Sequence, residues 1–277
     1  WQNNSARFNT AIRVLSDNLA ILEPIMEGDI SRSFAYAYLQ KQGISLDKRE
    51  DDLFSSDNNL WGREVEDGEL EQVSEEPNED IYRMTTSPEN APNQAAYVTI
   101  TFRNGIPFSI NEKKLAAVEM VAVLNKLGGK HGIGRYDGLE DRIIGFKMRE
   151  IHESPAATLL ITAHKDLEIA VLPKRTLKMK NHIDAEWTDL VCNGLWYHPL
   201  RKQLEAFIDQ VNERVTGKIT LKLFKGNCTV VGRETHYGLY KENLEKKDKQ
   251  LFTKGEHPNR NFYDFYSYEA EIAKRTE

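Results

Sequence analysis

The sequence predicts an α+β fold: an antiparallel sheet of β-hairpins packed by helices, with a long C-terminal helix suited to oligomerisation. Two hairpins carry the sheet. Residues 97–102 (YVTITF) alternate in strand period, Asn104-Gly105 turns the chain, and residues 106–110 return. Residues 218–224 (KITLKLF) alternate likewise, Gly226-Asn227 turns, and residues 228–231 return. The third observation is helical. Leu115, Val118, Val121, Leu124 and Leu127 recur at helical spacing within 113–127.

In chain order, residues 1–45 read as a helix, a short strand and a second helix. Ile12, Val14, Leu15, Leu19, Ile21 and Leu22 are apolar, and 32–42 (RSFAYAYLQKQ) keeps helical spacing up to Gly43. Residues 46–95 change character. From Arg63 to Asp80 there are nine carboxylates and one arginine, and Pro77, Pro88 and Pro92 punctuate the segment. It reads as an extended, partly mobile connection. After the first hairpin and its helix, Gly128 to Pro155 reads as a glycine-rich loop. Gly132, Gly134, Gly138 and Gly145 permit tight turns and close approach to a ligand. Arg135, Asp137, Glu140, Arg142 and Lys147 sit there among Ile133, Ile143, Ile144 and Phe146. Such a mixture fits a salt-bridged interface, or a site for a small zwitterion, which needs a partner for each of its charges. Ser154 is an N-cap with Pro155 at the first helical position, so a helix runs from there to about Ile169. Its His164 reads as a hydrogen-bonded core residue. Residues 185–215 give one or two more helices, and 233–240 a loop. The terminal helix, 261–273, begins with Phe262, Tyr263, Phe265, Tyr266 and Tyr268. That aromatic load suits docking on a neighbouring subunit at least as well as packing at home.

The 277 residues, 40% hydrophobic and 29% charged, suffice for one large domain or two ordinary ones. A net charge of −6 without a dense Lys/Arg cluster argues against nucleic acid as a partner. Lys241, Lys246, Lys247 and Lys249 come near one, but Glu242, Glu245 and Asp248 are interleaved. No apolar run reaches membrane-spanning length, and no signal-peptide pattern is present, so no membrane partner is expected. Cys192 and Cys228 lack CxxC spacing and read as reduced thiols of a cytoplasmic protein. The seven histidines show no HExxH spacing, so metal catalysis has no support. Gly132-Ile133-Gly134 fails as a dinucleotide fingerprint, because Asp137 stands where the third glycine belongs. There is no Walker A loop, and Ser55 and Ser56 lie in no GxSxG elbow.

Several longer motifs run collinearly: Asn3-Asn4-Ser5-Ala6-Arg7-Phe8; residues 55–62 (SSDNNLWG) with Glu66 and Gly68-x-Leu70-Glu71; residues 130–153 (KHGIGRYDGLEDRIIGFKMREIHE); Ala163-His164; Leu167-Glu168; Gly194-Leu195-Trp196; Val215-Thr216-Gly217; and 223–227 (LFKGN). Together they resemble the argininosuccinate synthase family along almost the whole chain. The resemblance implies an ATP-dependent carbon–nitrogen ligase of arginine biosynthesis that joins citrulline to aspartate. In that reaction ATP, with Mg2+, adenylates the ureido oxygen of citrulline and releases pyrophosphate; the aspartate amine then attacks and AMP leaves. Adenylation is needed because a ureido oxygen is a poor leaving group.

The resemblance also implies roles. Asn3 is similar to the asparagine that touches both substrates. Arg7, Ser55 and Glu140 resemble citrulline-binding residues, with Glu140 presented on the glycine-rich loop. Glu64 and His152 stand at two further citrulline positions, and Asn4 at an aspartate position. Arg7 and Glu140 would clamp opposite ends of one amino acid. Residues 1–45 would be the tail of a nucleotide-binding domain, 46–250 the synthetase domain and 251–277 an oligomerisation arm of a homotetramer. Departures from the family pattern cluster at the substrate: Asn4 for Asp, Glu64 for Ser, His152 for Tyr, Asp141 for Asn and Met148 for Ser. They leave open a divergent homologue acting on another ureido amino acid, and a non-catalytic assembly module. The family's SGGxDTS pyrophosphate loop is not in this sequence, which starts at Trp1; the chain reads as a piece of a longer product, with ATP bound mainly by a nucleotide half outside it.

Overall fold

The computed structural model describes residues 3–28, 30–44, 54–240, 242–243 and 262–275. Helices α1 (Asn3–Leu15), α2 (Pro24–Glu27) and α3 (Arg32–Lys41) come first. Strands β1 (Ser55–Asn58), β2 (Arg63–Glu66), β3 (Ala96–Arg103), β4 (Ile106–Ile110) and β5 (Lys113–Lys114) follow. Then come α4 (Ala117–Lys130), the hairpin β6 (Arg135–Asp141) and β7 (Lys147–Glu153), α5 (Pro155–Val171), α6 (Lys174–Cys192) and α7 (Pro199–Asn212). The strands β8 (Gly217–Phe224) and β9 (Asn227–Glu234) precede a final helix, α8 (Phe262–Arg275). The class is α+β, with two antiparallel sheets ordered β5-β4-β3-β8-β9 and β1-β2-β7-β6.

The five-stranded sheet is the union of the two expected hairpins, joined where β3 pairs β8 from Ala96↔Leu223 to Phe102↔Gly217. Strand alternation sends Val98, Ile100 and Phe102 to the same face as Ile219, Leu221 and Leu223, all at most 1% exposed. On that face lie Val121 and Leu124 of α4 and Leu159, Ala163 and Leu167 of α5, in one continuous core. Asn125 holds α4 in register with its surroundings. Its amide donates to Leu60 O at 3.0 Å and accepts from Ala156 N, at the start of α5, at 2.9 Å. The second hairpin turns at Lys225-Gly226, one residue earlier than the sequence suggests. Both residues have positive φ, as a tight two-residue hairpin turn requires.

The acidic stretch is not a mobile connection. Residues 54–95 supply β1, β2 and two short 3-10 turns, and Leu70 and Ile81 bury against Val65 and Ile151 in a second core. The carboxylates hid this because strand β2 alternates acid with one apolar residue, giving little apolar periodicity to read. The part of that expectation covering 46–53 lies outside the described residues. Likewise the glycine-rich stretch is a hairpin and not a loop, so Glu140 stands on strand β6, opposite Met148. The short strand expected near Leu19–Leu22 does not form among the described residues. Leu19 and Leu22 are 66% and 80% exposed there, with no neighbouring strand to complete a ladder. Helix α4 begins at Ala117, because Lys113–Lys114 pairs β4. Helix α6 begins at Lys174, earlier than its polar first turns suggest. Its Lys180, 3% exposed, pairs with Glu168 at 2.7 Å and Asp184 at 2.6 Å. Ser154 caps α5 by position but without a side-chain bond. Helix α8 contacts its own chain: Tyr266 OH accepts from Arg175, and Ala273 O from Arg214 at 2.8 Å.

The two sheets are tied together by Glu153, the last residue of β7, which is 1% exposed. Its Oε1 accepts from Met84 N and Thr85 N at 2.9 Å and from Thr85 Oγ1 at 2.6 Å; its Oε2 accepts from Arg83 N at 2.9 Å. Arg63, 7% exposed, lies 3.5 Å away and donates to Ile81 O. One residue on from Thr85, Thr86 N donates to Gly129 O at the end of α4. The approach is so close that a Cβ on Gly129 would stand 2.2 Å from Met84 O.

Removing one member of a buried, hydrogen-bonded charge pair typically costs about 3–5 kcal/mol. Glu153→Ala is expected to lose that order of stability in chemical unfolding. Glu119→Ala, which breaks an exposed pair with Lys113, is expected to lose no more than about 0.5 kcal/mol. Equal losses for the two variants would refute the tie.

Candidate functional site

The four-stranded sheet has two chemically different faces, and alternation decides which residue goes where. Val65 pairs Ile151 and Arg63 pairs Glu153, so these line the packed face. The residues between them take the other face. Glu64 pairs His152, Asp57 pairs Glu64, and Ser55 pairs Glu66. On the far side Tyr136 pairs His152, Gly138 pairs Glu150 and Glu140 pairs Met148. Ser55, Glu64, Glu140 and His152, assigned separately from sequence, thus share one face.

The ionic arrangement there is dense. His152 Nε2 has no accessible surface. It lies 2.9 Å from Glu140 Oε1 and 3.5 Å from Glu150 Oε2, at angles outside those of a hydrogen bond. Arg142, in the β6–β7 turn, donates to Glu66 and lies 3.6 Å from Glu150. The Glu150 carboxylate beside it, then Glu140 and Glu64, hold the His152 imidazole above its ordinary pKa. In return His152, then Arg142, hold Glu150 below the usual carboxylate range. Burial, then the Glu150 charge, pushes Glu64 up. Among the described residues the Glu64 side chain has no hydrogen bond and no ion pair of its own. The Tyr136 ring lies over Gly138, where a Cβ would stand 2.3 Å from the phenol, and 6.0 Å from the His152 ring. One ligand atom each from Glu64, Glu150 and His152 fall within 4.8 Å of one another. Arg142 and Glu140 already compete for two of the three, so the arrangement is an ion-pair cluster with an excess of negative charge.

The remaining assigned residues lie elsewhere. Arg7, on α1, donates from Nε to Cys192 O at 2.8 Å and from Nη1 to Asn4 Oδ1 at 3.0 Å. Gly194, with φ of +77°, passes so close that a Cβ would stand 2.8 Å from Arg7 Cα. No contact joins Arg7 to Glu140 among the described residues. Asn3 belongs to α1, and its side chain lies outside what is described. Cys192 also borders a cavity of about 1310 Å³ between α5 and α6, whose walls include Phe102, Ile161, His164 and Lys180. His164 is part of that wall, packed edge-on against Phe102, and burial lowers its pKa. The residues that sequence reasoning missed are Glu150, Glu66 and Tyr136. Strand parity would have found Glu150, two residues before His152, had the segment been read as a strand.

Folding raises the Glu64 pKa, so its protonated form is favoured and its ionised form opposed. That contribution is favourable below the ordinary carboxylate value and is lost as pH rises through the raised one. Glu64→Gln is therefore expected to raise the thermal midpoint at pH 7, with the gain shrinking towards pH 4. Melting curves across that range test it; an unchanged or lower midpoint at pH 7 would mean that Glu64 is compensated.

Comparison with known proteins finds relatives of this sequence in a described family. The family model of the arginosuccinate synthase C-terminal domain matches residues 54–272. A protein of Pyrococcus furiosus named argininosuccinate synthase is 44% identical over 247 residues, covering 89% of this chain and 60% of the relative. Its namesake in Archaeoglobus fulgidus is 44% identical over 248 residues, covering 90% of this chain and 63% of the relative. That of Synechococcus elongatus is 43% identical over 242 residues, covering 87% and 60%. The chain spans about 60% of the length of the curated relatives it matches. On the sequence motifs, the domain match and these relatives, the chain belongs to the argininosuccinate synthase family, over its C-terminal region.

Proposed function

We propose that this chain is the synthetase region of an ATP-dependent carbon–nitrogen ligase that joins citrulline to aspartate, as the names of its relatives suggest. The observation that carries the reading is the shared face. Ser55, Glu64, Glu140 and His152 come from three separate stretches of sequence, yet strand register turns them all to one side. Glu140, 45% exposed at its side chain, offers a carboxylate to a substrate ammonium. By resemblance Arg7 is assigned to citrulline, Asn3 to both substrates and Asn4 to aspartate; Arg7 makes no contact with Glu140 among the described residues, so a clamp of one amino acid between those two is not part of this reading. Arg7 is a guanidinium held in place by Cys192 O and Asn4, so its orientation is set before a ligand arrives.

ATP, with Mg2+, supplies the activation that turns the ureido oxygen into a leaving group. The sheet face does not suit the phosphates. Glu64, Glu66, Glu140 and Glu150 outweigh Arg142 and His152 and would repel them. We assign the nucleotide to other parts of the complete protein. A homotetramer and a cytoplasmic location belong to the same reading. Among the described residues no helix is long and apolar enough to cross a membrane.

One observation favours a second reading, a divergent homologue with another ureido amino acid as substrate. Glu64 places a half-buried, unpaired carboxylate where the family pattern has a serine. A site built on specific polar partners discriminates strongly when they are exchanged.

Isothermal titration of the complete protein with citrulline and with aspartate, together with ATP-dependent AMP release, tests both readings. Citrulline binding and AMP formation support the first. AMP formation only with another ureido amino acid supports the second. No amino-acid binding and no AMP would leave a non-catalytic assembly module. Glu140→Gln is expected to weaken amino-acid binding about tenfold or more, since a charge-assisted bond becomes a neutral one. Restoring Asn4→Asp, Glu64→Ser and His152→Tyr together is expected to tighten citrulline binding; no gain would mean that the face serves another ligand.

A further inference from the structure

We propose that the His152 imidazolium is an internal stand-in for the substrate's ammonium group. In the free protein it lies against the Glu140 carboxylate; when an amino acid binds, the imidazolium loses its proton to solvent and the substrate ammonium takes its place on Glu140. The inference rests on the proposed reading of this face as an amino-acid site and adds a competition within it.

The geometry singles out this pair. Every other acid in the cluster has a different relation to its neighbours. Glu66 holds Arg142, and Glu150 shares Arg142 at 3.6 Å with His152 at 3.5 Å. Glu64 has no ion pair among the described residues. Glu140 faces one cation there, Nε2 of His152, at 2.9 Å. Guanidinium stays charged at any physiological pH, whereas imidazole does not. The cation on Glu140 is therefore the one cation of this cluster that can be switched off by losing a proton.

The contact is also exchangeable. Its angles are not those of a hydrogen bond, so its attraction depends on the imidazole carrying a proton. Glu140 is 45% exposed at its side chain, so a ligand can reach it, while Nε2 itself has no accessible surface. The charged and titratable groups that face His152 are Glu64 and Glu66 from β2, Asp57 beyond them on β1, Tyr136 and Glu140 from β6, Arg142 from the turn, and Glu150 on its own strand. In the free protein the carboxylates among them favour the imidazolium, Glu150 foremost. An arriving ammonium at Glu140 takes over the stabilising carboxylate and adds a like charge beside the ring. Both effects expel the proton. Binding and deprotonation are then linked. Affinity rises with pH, by up to about tenfold per pH unit below the His152 pKa, and levels off above it. A tyrosine at this position, neutral throughout that range, would show no such linkage.

Two measurements on the complete protein test this. The first needs no ligand. The His152 Cε1–H resonance is titrated by NMR in the wild type and in Glu140→Gln, a substitution at a half-exposed position that leaves the packed face intact. A pKa that falls in the variant supports the ion pair; an unchanged pKa overturns the proposal. The second is titration with citrulline between about pH 6 and 8.5, in buffers of different ionisation enthalpy, for the wild type and His152→Tyr. Proton release and pH-dependent affinity in the wild type, both absent in the variant, support the competition. Binding with no proton release, or the same pH profile in both proteins, overturns it. A failure to bind any tested amino acid at any pH, with the ion pair present by NMR, overturns the proposed function and the competition with it, and leaves His152–Glu140 as a structural pair.

Discussion

The buried carboxylate of Glu153 is the constraint on which the rest of the molecule depends. It is the last residue of β7 and accepts four hydrogen bonds from Arg83, Met84 and Thr85, while Arg63 supplies the balancing charge. A carboxylate that deep is tolerable only when its oxygens are satisfied in this way. Satisfying them fixes the path of residues 81–86, and that path has further consequences. Arg135 Nη2 and Nε donate to Thr85 and pin the start of β6. Thr86 N reaches Gly129 O at the end of α4. Gly226 N, in the β8–β9 turn, reaches His131 O just beyond it. One anion thus anchors the small sheet to the helix that covers the large one.

The anchor also explains why the opposite face of the small sheet can hold so many charges. On the packed face Val65 and Ile151 are 1% and 0% exposed and provide apolar cohesion. The other face is then free of any packing duty. It carries Glu64, Glu66, Glu140, Glu150, Arg142 and His152, whose charges do not balance. Such an excess opposes folding; burial first, and then the Glu150 charge, raise the pKa of Glu64. A face that is held by its reverse side and is electrostatically unsatisfied in front suits a positively charged ligand group. Arg7 belongs to a different neighbourhood, the end of α6, and the cavity between α5 and α6 lies against the same Cys192.

Much of the fold was legible because it is encoded locally. The Asn104-Gly105 turn, the alternation on each side of it and the Ser154-Pro155 start of α5 each need only neighbouring residues. The hairpins were found for that reason, and so was the helix that ends at Gly43. What escaped was non-local or masked by charge. Strand β2 reads REVE, with one apolar residue, and becomes a strand only because β1 and β7 flank it. The β6–β7 hairpin is rich in charge and glycine, and its pairing was invisible without the Val65–Ile151 core behind it. For the proposed site, Ser55, Glu64, Glu140 and His152 were nameable through resemblance to a family. Their common face was not, because parity has no meaning until a segment is known to be a strand.

The sequence alone therefore determined the class of fold, the hairpins with their local turns, and the family, since these are written in contiguous runs of residues. Only the tertiary structure decided that an acidic stretch becomes a sheet. It also decided that Glu64 pairs with His152 across the strands, and that Glu140 lies 2.9 Å from the His152 imidazole and out of contact with Arg7 among the described residues. Register between distant strands is set by burial of Val65 and Ile151 and by the hydrogen-bonding demand of one interior carboxylate, and neither can be counted before the chain has folded.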